Sequence, residues 1–136
     1  MIVADNTLIS YFTIEGDFTE EAVAVRKKNP EWAAPLLWRS EFMNVLWFYV
    51  RQEKFALDLA LEHLDTAEDL MSGRTYQPAP PAVLRLAAGS GCSTYDCQYV
   101  QLAKDLGVPL VTHDKEVLKA FSHIAVHPQD FLSGTR

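Results

Sequence analysis

The chain alternates between short apolar runs and longer segments in which apolar residues recur at helical spacing. The short runs predict β-strands at 2–4, 33–37, 108–112 and 124–126. The longer segments predict helices at 6–12, 19–28, 40–52, 55–71, 81–88, 94–106 and 115–121. Strands that alternate with helices are typical of an α/β fold, in which helices cover a parallel sheet.

Residues that start and stop helices set several boundaries. Thr19 is the expected N-cap of the second helix, and the basic run 26–28 lies at its C-terminal end, where it complements the helix dipole. Gly107 ends the helix at 94–106, and a loop is expected at 89–93 before it. The proline-rich segment 76–81 is the clearest break, but it is too short to link two domains.

Composition agrees with one globular domain spanning residues 1–136. The chain is 49% hydrophobic and 22% charged, which indicates a sizeable core. The first residues show no basic leader with a long apolar run, and no segment approaches the roughly 20 apolar residues of a membrane span. We therefore expect no membrane association and a cytoplasmic location. There, Cys92 and Cys97 are expected to be reduced thiols with a packing role.

Acidic residues recur where apolar or small-residue segments give way to helices. They are Asp5, Glu41, Asp96 and Asp114. The carboxyl ends of parallel strands share one edge of an open α/β sheet, and ligands bind in the crevice there. Four carboxylates at that edge would repel one another and raise one another's pKa values unless a hard divalent cation lay between them. Mg²⁺ and Mn²⁺ prefer oxygen ligands, so the pattern predicts a metal-dependent phosphoryl-transfer site.

The net charge of −6 argues against nucleic acid as a partner, because affinity for phosphates usually comes from a basic surface. If four of the eighteen acids bind metal, however, fourteen acids remain against twelve basic residues, which is close to balance. The charge therefore leaves a nucleic-acid substrate open.

Each acid also has a purely structural interpretation. Asp5 and Asp114 are placed to cap helices, and Asp96 is placed to be the acid of a capping box that Ser93 begins. Glu41 is placed to interact favourably with a helix dipole. The sequence leaves both interpretations open for each acid.

Four segments around the acids have an order and spacing known from one protein family. They are VADNT at 3–7, SEFMNVL at 40–46, YDCQYVQLA at 95–103 and LVTHDK at 110–115. Together they resemble the four acidic motifs of PIN-domain ribonucleases, especially the VapC-type toxins of toxin-antitoxin pairs. The resemblance covers nearly the whole chain.

That resemblance implies a three-layer α/β/α sandwich with a central parallel sheet of about five strands. It also implies endonucleolytic cleavage of RNA that leaves a 5′ phosphate and a 3′ hydroxyl, a small antitoxin partner and a homodimer. In this family the four acids bind one or two Mg²⁺ or Mn²⁺ ions, directly or through water, and here they would be Asp5, Glu41, Asp96 and Asp114. Such ions make water a competent nucleophile near neutral pH and stabilise charge at phosphorus.

Four further residues are weaker candidates for the same site. Asn6 and Asn44 are candidates for hydrogen bonds to the metal-binding acids, Thr112 for a hydrogen bond to a ligand or phosphate, and His113 for a ligand or proton shuttle. Thr112 has an alternative interpretation as part of a strand, and His113 as a solvated neighbour of the site. Many family members carry a further Asn or Asp after the fourth acid, whereas a lysine and a glutamate follow it here. The number of metal ions is therefore open.

Aromatic residues suggest assembly rather than base stacking. The spacing of Trp32, Trp38 and Trp47 favours contacts in the core or in a dimer. The run 47–49 lies on a helix that already has a core face, so its aromatic side chains predict a partner surface and a homodimer.

Other classes of protein that cluster acids match the sequence less well. A phospho-receiver domain needs an acceptor aspartate after a central strand and a lysine after a late one, and neither is evident. A haloacid-dehalogenase-like phosphatase needs Asp-x-Asp after the first strand, where this chain has Asp5-Asn6-Thr7. A catalytically silent RNA-binding or scaffold protein with the same acids remains an alternative.

Overall fold

The computed structural model describes residues 1–134. Its centre is one sheet of five strands, which are β1 (Ile2–Ala4), β2 (Trp32–Pro35), β3 (Thr75–Tyr76), β4 (Leu110–Val111) and β5 (Ala125–Val126). They lie in the order β3-β2-β1-β4-β5, and every neighbouring pair is parallel. The strand order therefore reverses between β1 and β4, and such a reversal opens a crevice at the carboxyl ends of the strands.

Within residues 1–134, eight helices surround this sheet. They are α1 (Asn6–Thr13), α2 (Thr19–Lys28), α3 (Leu37–Arg51), α4 (Leu57–Met71), α5 (Pro80–Ser90), α6 (Thr94–Leu106), α7 (Lys115–Ala120) and α8 (Pro128–Ser133). Helix α1 packs against α2, α3 and α4, whereas α5 packs against α6, which covers β1 and β2. Right-handed crossovers place these two groups on opposite faces of the sheet. The expected α/β/α sandwich with a parallel sheet of about five strands is confirmed.

The core lies between the sheet and both helix layers. The residues of β1, β2, β4 and β5 are all buried, and Trp32 and Trp38 are fully buried, as the sequence indicated. Trp47 is instead 55% exposed. Cys92 and Cys97 are buried free thiols, in agreement with the expected packing role. Among the described residues, no helix combines the length and apolarity that a bilayer span requires.

The junction between β2 and α3 differs from the sequence-based expectation. The apolar run was expected to be a strand at 33–37 followed by a helix at 40, but the strand ends at Pro35 and α3 begins at Leu37. Leu36 already has helical backbone angles, with φ −52° and ψ −29°. Trp38 is buried because the first turn of α3 packs on the core, and a short apolar run does not distinguish a buried strand from a buried helical turn.

Three further expectations were wrong or incomplete. Thr19 is the first residue of α2 rather than its N-cap, and its hydroxyl instead accepts from Gly16 N–H and donates to the Tyr11 carbonyl. Strand β3 and helix α8 had no counterpart among the predicted elements. The loop expected at 89–93 is shorter, because α5 continues to Ser90.

Candidate active site

The four acids line one cleft of about 260 Å³ at the carboxyl edge of the sheet. Asp5 follows β1 and Asp114 lies just beyond β4, so these two flank the point where the strand order reverses. Glu41 enters from α3 and Asp96 from α6. Of the weaker candidates, the same cleft is also lined by Asn6, Thr112 and His113.

Asp5 is held by both of its carboxylate oxygens. Oδ1 accepts from Leu8 N–H at 2.8 Å, which caps α1, and Oδ2 accepts from the Thr112 hydroxyl at 2.5 Å. Burial raises the pKa of Asp5, and the hydrogen bonds from Thr112 and Leu8 oppose that rise. Asp5 is therefore a helix cap and a member of the acidic cleft at once, so the two interpretations are compatible.

Thr112 joins the ends of the two strands that carry Asp5 and Asp114. It is only 1% exposed, and its hydroxyl donates to Asp5 and accepts from Asp114 N–H at 3.0 Å. Asp114 in turn caps α7, because its Oδ1 accepts from Glu116 N–H at 2.9 Å and from Val117 N–H at 3.1 Å. Thr112 is thus more than part of a strand, since its hydroxyl fixes the relative position of two acids.

Glu41 is held by Tyr99, a residue that the sequence did not single out. The Tyr99 hydroxyl donates to Glu41 Oε1 at 2.6 Å, and Tyr99 is only 4% exposed. Burial raises the pKa of Glu41, the bond from Tyr99 opposes the rise, and the charges of Asp96 and Asp5 add to it. The signal for Tyr99 was its position three residues after Asp96 on α6, which places both on one side of the helix.

Glu41 and Asp96 both lie within helices, as the expected helices at 40–52 and 94–106 predicted. Glu41 lies in the second turn of α3, and Asp96 lies in the first turn of α6 after a short loop. Ser93 caps α6 by accepting from Asp96 N–H at 3.1 Å, which is the Ser93 half of the expected capping box. Burial raises the pKa of Asp96, and the nearby charge of Asp114 raises it further.

The raised pKa values in the cleft have a different main cause from the one expected. The pKa values of Asp5, Glu41 and Asp96 are raised, as mutual repulsion predicted, but burial is the largest cause for each. Within residues 1–134, no three His, Cys, Asp or Glu side chains are grouped closely enough to hold a metal ion by themselves. The acids thus share a cleft without forming a closed metal cage.

The two asparagine candidates have different positions. Asn6 lines the cleft, and its Oδ1 atom is buried with no hydrogen-bond partner among the described residues. Such an orphaned oxygen is a free acceptor for a cation, a water or a ligand donor. Asn44 is exposed on α3 and is not among the residues that line the cleft.

His113 is tied to the helix layer rather than solvated. Its Nε2 atom lies 2.6 Å from Glu21 Oε1 on α2, and its ring makes edge contacts with Tyr11, Phe18 and His127. Its Nδ1 atom is buried and has no partner among residues 1–134. The contacts of His113 therefore anchor the segment that carries Asp114 to α1 and α2.

Comparison with known proteins supports this architecture. No protein-family model and no curated protein sequence matches the chain. Among solved structures, PAE2754 from Pyrobaculum aerophilum is similar with a TM-score of 0.76 and 22% identity over 98% of this chain and 87% of that one. FitAcB from Neisseria gonorrhoeae has a TM-score of 0.73 and 18% identity over 95% and 99% of the two chains.

A toxin-antitoxin complex from Klebsiella pneumoniae is also similar, with a TM-score of 0.67 and 16% identity over 94% of this chain and 98% of that one. Identities this low show a shared fold. The fold that the sequence resemblance implied is thereby confirmed, and this chain has the α/β/α architecture of those structures.

Proposed function

We propose that this chain is a metal-dependent endoribonuclease that cleaves RNA phosphodiester bonds and acts as the toxin of a toxin-antitoxin pair. The observation that carries the proposal is the convergence of Asp5, Glu41, Asp96 and Asp114 in one cleft where the strand order reverses. Buried carboxylates with raised pKa values are typical of functional sites. Structural capping explains the positions of Asp5 and Asp114, but it explains neither Glu41 nor the convergence of all four acids.

A divalent cation, Mg²⁺ or Mn²⁺, is compatible with the donor atoms of this cleft. The acids and the orphaned Asn6 Oδ1 are all hard oxygen donors, which these ions prefer. Mg²⁺ usually keeps several waters and binds through one or two carboxylates, so a cleft without three grouped ligands still suits it. When bound, the cation would offset the acids' charge, activate water and stabilise charge at phosphorus.

The chain's own residues prepare the cleft for such chemistry. Thr112 and Leu8 N–H fix the Asp5 carboxylate, and Tyr99 fixes that of Glu41 while leaving Oε2 free of that bond. Thr112 also sets the Asp114 backbone. Fixed carboxylates need little reorganisation when charge develops, which is the main way a protein site lowers an activation barrier. Without a cation, the same acids would repel the phosphate of RNA.

Cleavage of labelled single-stranded RNA tests the proposal. Mn²⁺ or Mg²⁺ should support cleavage by the wild type, and a chelator should abolish it reversibly. Asp5→Asn, Glu41→Gln, Asp96→Asn and Asp114→Asn should each lower the rate by orders of magnitude while the circular dichroism spectrum stays native. Asp58→Asn, at an exposed position on α4, is the matched control and should cleave normally. Near wild-type rates for Asp5→Asn and Asp96→Asn would refute the assignment.

The proposed antitoxin partner rests on the structural comparisons. The Klebsiella pneumoniae structure is a toxin-antitoxin complex, and a further similar structure is FitAB bound to a DNA fragment, with a TM-score of 0.71 and 16% identity. A short DNA-binding protein encoded beside this chain should therefore bind it and suppress its RNA cleavage. If the protein encoded beside this chain neither bound it nor inhibited its RNA cleavage, the toxin assignment would be contradicted but the nuclease proposal would not.

A homodimer is part of the same proposal, and its support is the outer face of α3. Met43, Trp47 and Phe48 are 46%, 55% and 53% exposed. Large exposed apolar patches mark interaction surfaces, and homo-oligomers most often use a two-fold interface. Tyr49 does not belong to this face, because it is partly buried and stacks on Phe55.

A catalytically silent RNA-binding or scaffold protein is the second candidate function. The observation that favours it is that no three ligands are grouped closely within residues 1–134. RNA binding that persists in the presence of metal without any cleavage would establish it over the nuclease.

A further inference from the structure

A second cleft adjoins the acidic one between α1 and α3. We call it the α1–α3 cleft, and it has a volume of about 350 Å³. Asn6 and Thr7 line both clefts, so the two are neighbours. Its volume lies in the range of about 300–1,000 Å³ that small-molecule sites usually have.

Two residues that line the α1–α3 cleft each carry a buried polar atom without a hydrogen-bond partner. Ser10 is only 9% exposed, and its hydroxyl has no hydrogen-bond partner among residues 1–134. Asn6 Oδ1 is also buried and unpartnered, and it lies one helical turn before Ser10 on the same side of α1. Buried polar groups without partners are rare because they are costly, so two of them beside one cleft point to a ligand that supplies hydrogen bonds.

Aromatic rings form much of the remaining wall. Tyr11 and Phe18 line the cleft and stack on each other with ring centroids 4.8 Å apart, and Tyr49 lines it from α3. Phe18 is 47% exposed, which leaves much of its ring accessible. Planar aromatic surfaces of this kind are the ones on which unpaired RNA bases stack.

Charge decides which part of a nucleotide suits this cleft. None of the residues that line it within the described chain is a lysine or arginine, and Glu15 and Asp17 are exposed at its edge. A phosphate would be repelled there. A base is uncharged, and its amino group can donate to oxygen acceptors such as Asn6 Oδ1 and the Ser10 hydroxyl.

We propose that the α1–α3 cleft is a base subsite. It holds the base of a nucleotide next to the scissile phosphate. It favours adenine, cytosine or guanine, whose amino group has two N–H donors for the two acceptors, over uracil, whose single N–H can serve only one of them. The inference rests on the proposed RNA substrate, because a phosphate positioned at the four acids would place a neighbouring base beside Asn6 and Thr7.

Two variants and one matched control test this subsite. Ser10→Ala removes an unpartnered hydroxyl, and Phe18→Ala removes the exposed ring. Phe48→Ala removes a ring of similar exposure, 53% against 47%, at a position that does not line the cleft. Ser10→Ala should be at least as thermally stable as wild type, because no hydrogen bond within the chain is lost.

The first measurement is the base preference of cleavage in a random-sequence, single-stranded RNA pool incubated with Mn²⁺. Sequencing of the product ends should show about tenfold depletion of uracil at one position beside the cut for wild type and Phe48→Ala. Ser10→Ala and Phe18→Ala should lose most of that preference at the same position only. Cleavage with no base preference, or a preference unchanged in both variants, would overturn the subsite and leave the ribonuclease proposal intact.

The second measurement needs no cleavage. In ligand-observed NMR spectra of the metal-free protein, adenosine and cytidine should bind, uridine should bind more weakly, and Ser10→Ala should reduce the difference. An absence of nucleoside binding would overturn the subsite. Nucleoside binding by a wild-type protein that cleaves no RNA would support the subsite and reject the nuclease. Selective binding of a peptide instead of any nucleoside would assign the cleft to a protein partner and overturn the proposal.

Discussion

The hydrogen bond from Tyr99 to Glu41 makes a quantitative prediction about stability. Tyr99→Phe removes only the hydroxyl that donates to Glu41 Oε1 at 2.6 Å. Hydrogen bonds to charged groups contribute about 1.5–3 kcal/mol, and the partial exposure of Glu41 places this one near the lower end, at about 1.5 kcal/mol. For a domain of this size, that loss should lower the melting temperature of the metal-free protein by about 5 °C at neutral pH.

The pH dependence distinguishes this hydrogen bond from simple packing. The bond stabilises the ionised form of Glu41 and so opposes the rise in its pKa. In Tyr99→Phe the pKa of Glu41 should rise further. The stability difference between wild type and variant should therefore be complete above the higher pKa of Glu41 in the variant, and it should shrink as the pH falls from there through the wild-type pKa.

The assay is a series of thermal or urea melts without metal from acidic to neutral pH. Tyr95→Phe is the matched control, because Tyr95 lies on the same helix but is 60% exposed, and this variant should melt like wild type at every pH. A stability loss in Tyr99→Phe that does not change with pH would refute the reasoning, since it would show that the ionised carboxylate is not the partner of the hydroxyl.

Three further predictions follow from the same structure. Because burial and neighbouring charge raise the pKa of Asp96, the stability of the metal-free protein should fall as the pH rises from about 4 through the raised pKa. Asp96→Asn should therefore raise the metal-free melting temperature at neutral pH and reduce the increase that Mn²⁺ causes. An unchanged metal response would show that Asp96 is only a structural acid of α6. Thr112→Val should lower the free energy of unfolding by about 3 kcal/mol in urea melts, because it removes the hydrogen bond to Asp5 and leaves Asp114 N–H without a partner. Thr112→Ser keeps the hydroxyl and should retain most of the wild-type stability. Equal melts for the two variants would contradict this role of the hydroxyl. Light scattering should give a dimer mass for wild type and a monomer mass for Trp47→Glu, and a monomeric wild type over a wide concentration range would reject the dimer.

Local sequence signals predicted the fold best where they agreed with packing. The bounds of α2 and α6 matched the expected helices at 19–28 and 94–106, because apolar spacing and, for α6, the stop at Gly107 act locally. Strand β3 was missed because its two residues are only partly buried and are defined by pairing with β2 rather than by an apolar pattern. Its register, with Ala34 opposite Thr75 and Pro35 opposite Tyr76, is a tertiary property.

The sequence predicted the acids of the candidate site better than it predicted the residues that hold them in place. Asp5 and Asp114 lie where the strand order reverses between β1 and β4. The alternation of strands and helices implied a parallel sheet but did not give this strand order. Glu41 enters the cleft from the second turn of α3, whereas the sequence predicted a helix that begins at residue 40. The sequence did not predict the role of Tyr99, because a tyrosine at helical spacing is also typical of a core. Only the tertiary structure shows that its hydroxyl donates to the Glu41 carboxylate.

Binding of Mn²⁺ is the most direct test of the claim that the four acids form one metal site. Titration calorimetry on the wild-type protein should show saturable binding at neutral pH. Glu41→Gln and Asp96→Asn should weaken the affinity by about tenfold or more, and Asp58→Asn should leave it unchanged. Equal affinities in all four proteins, or no binding by the wild type, would contradict the account.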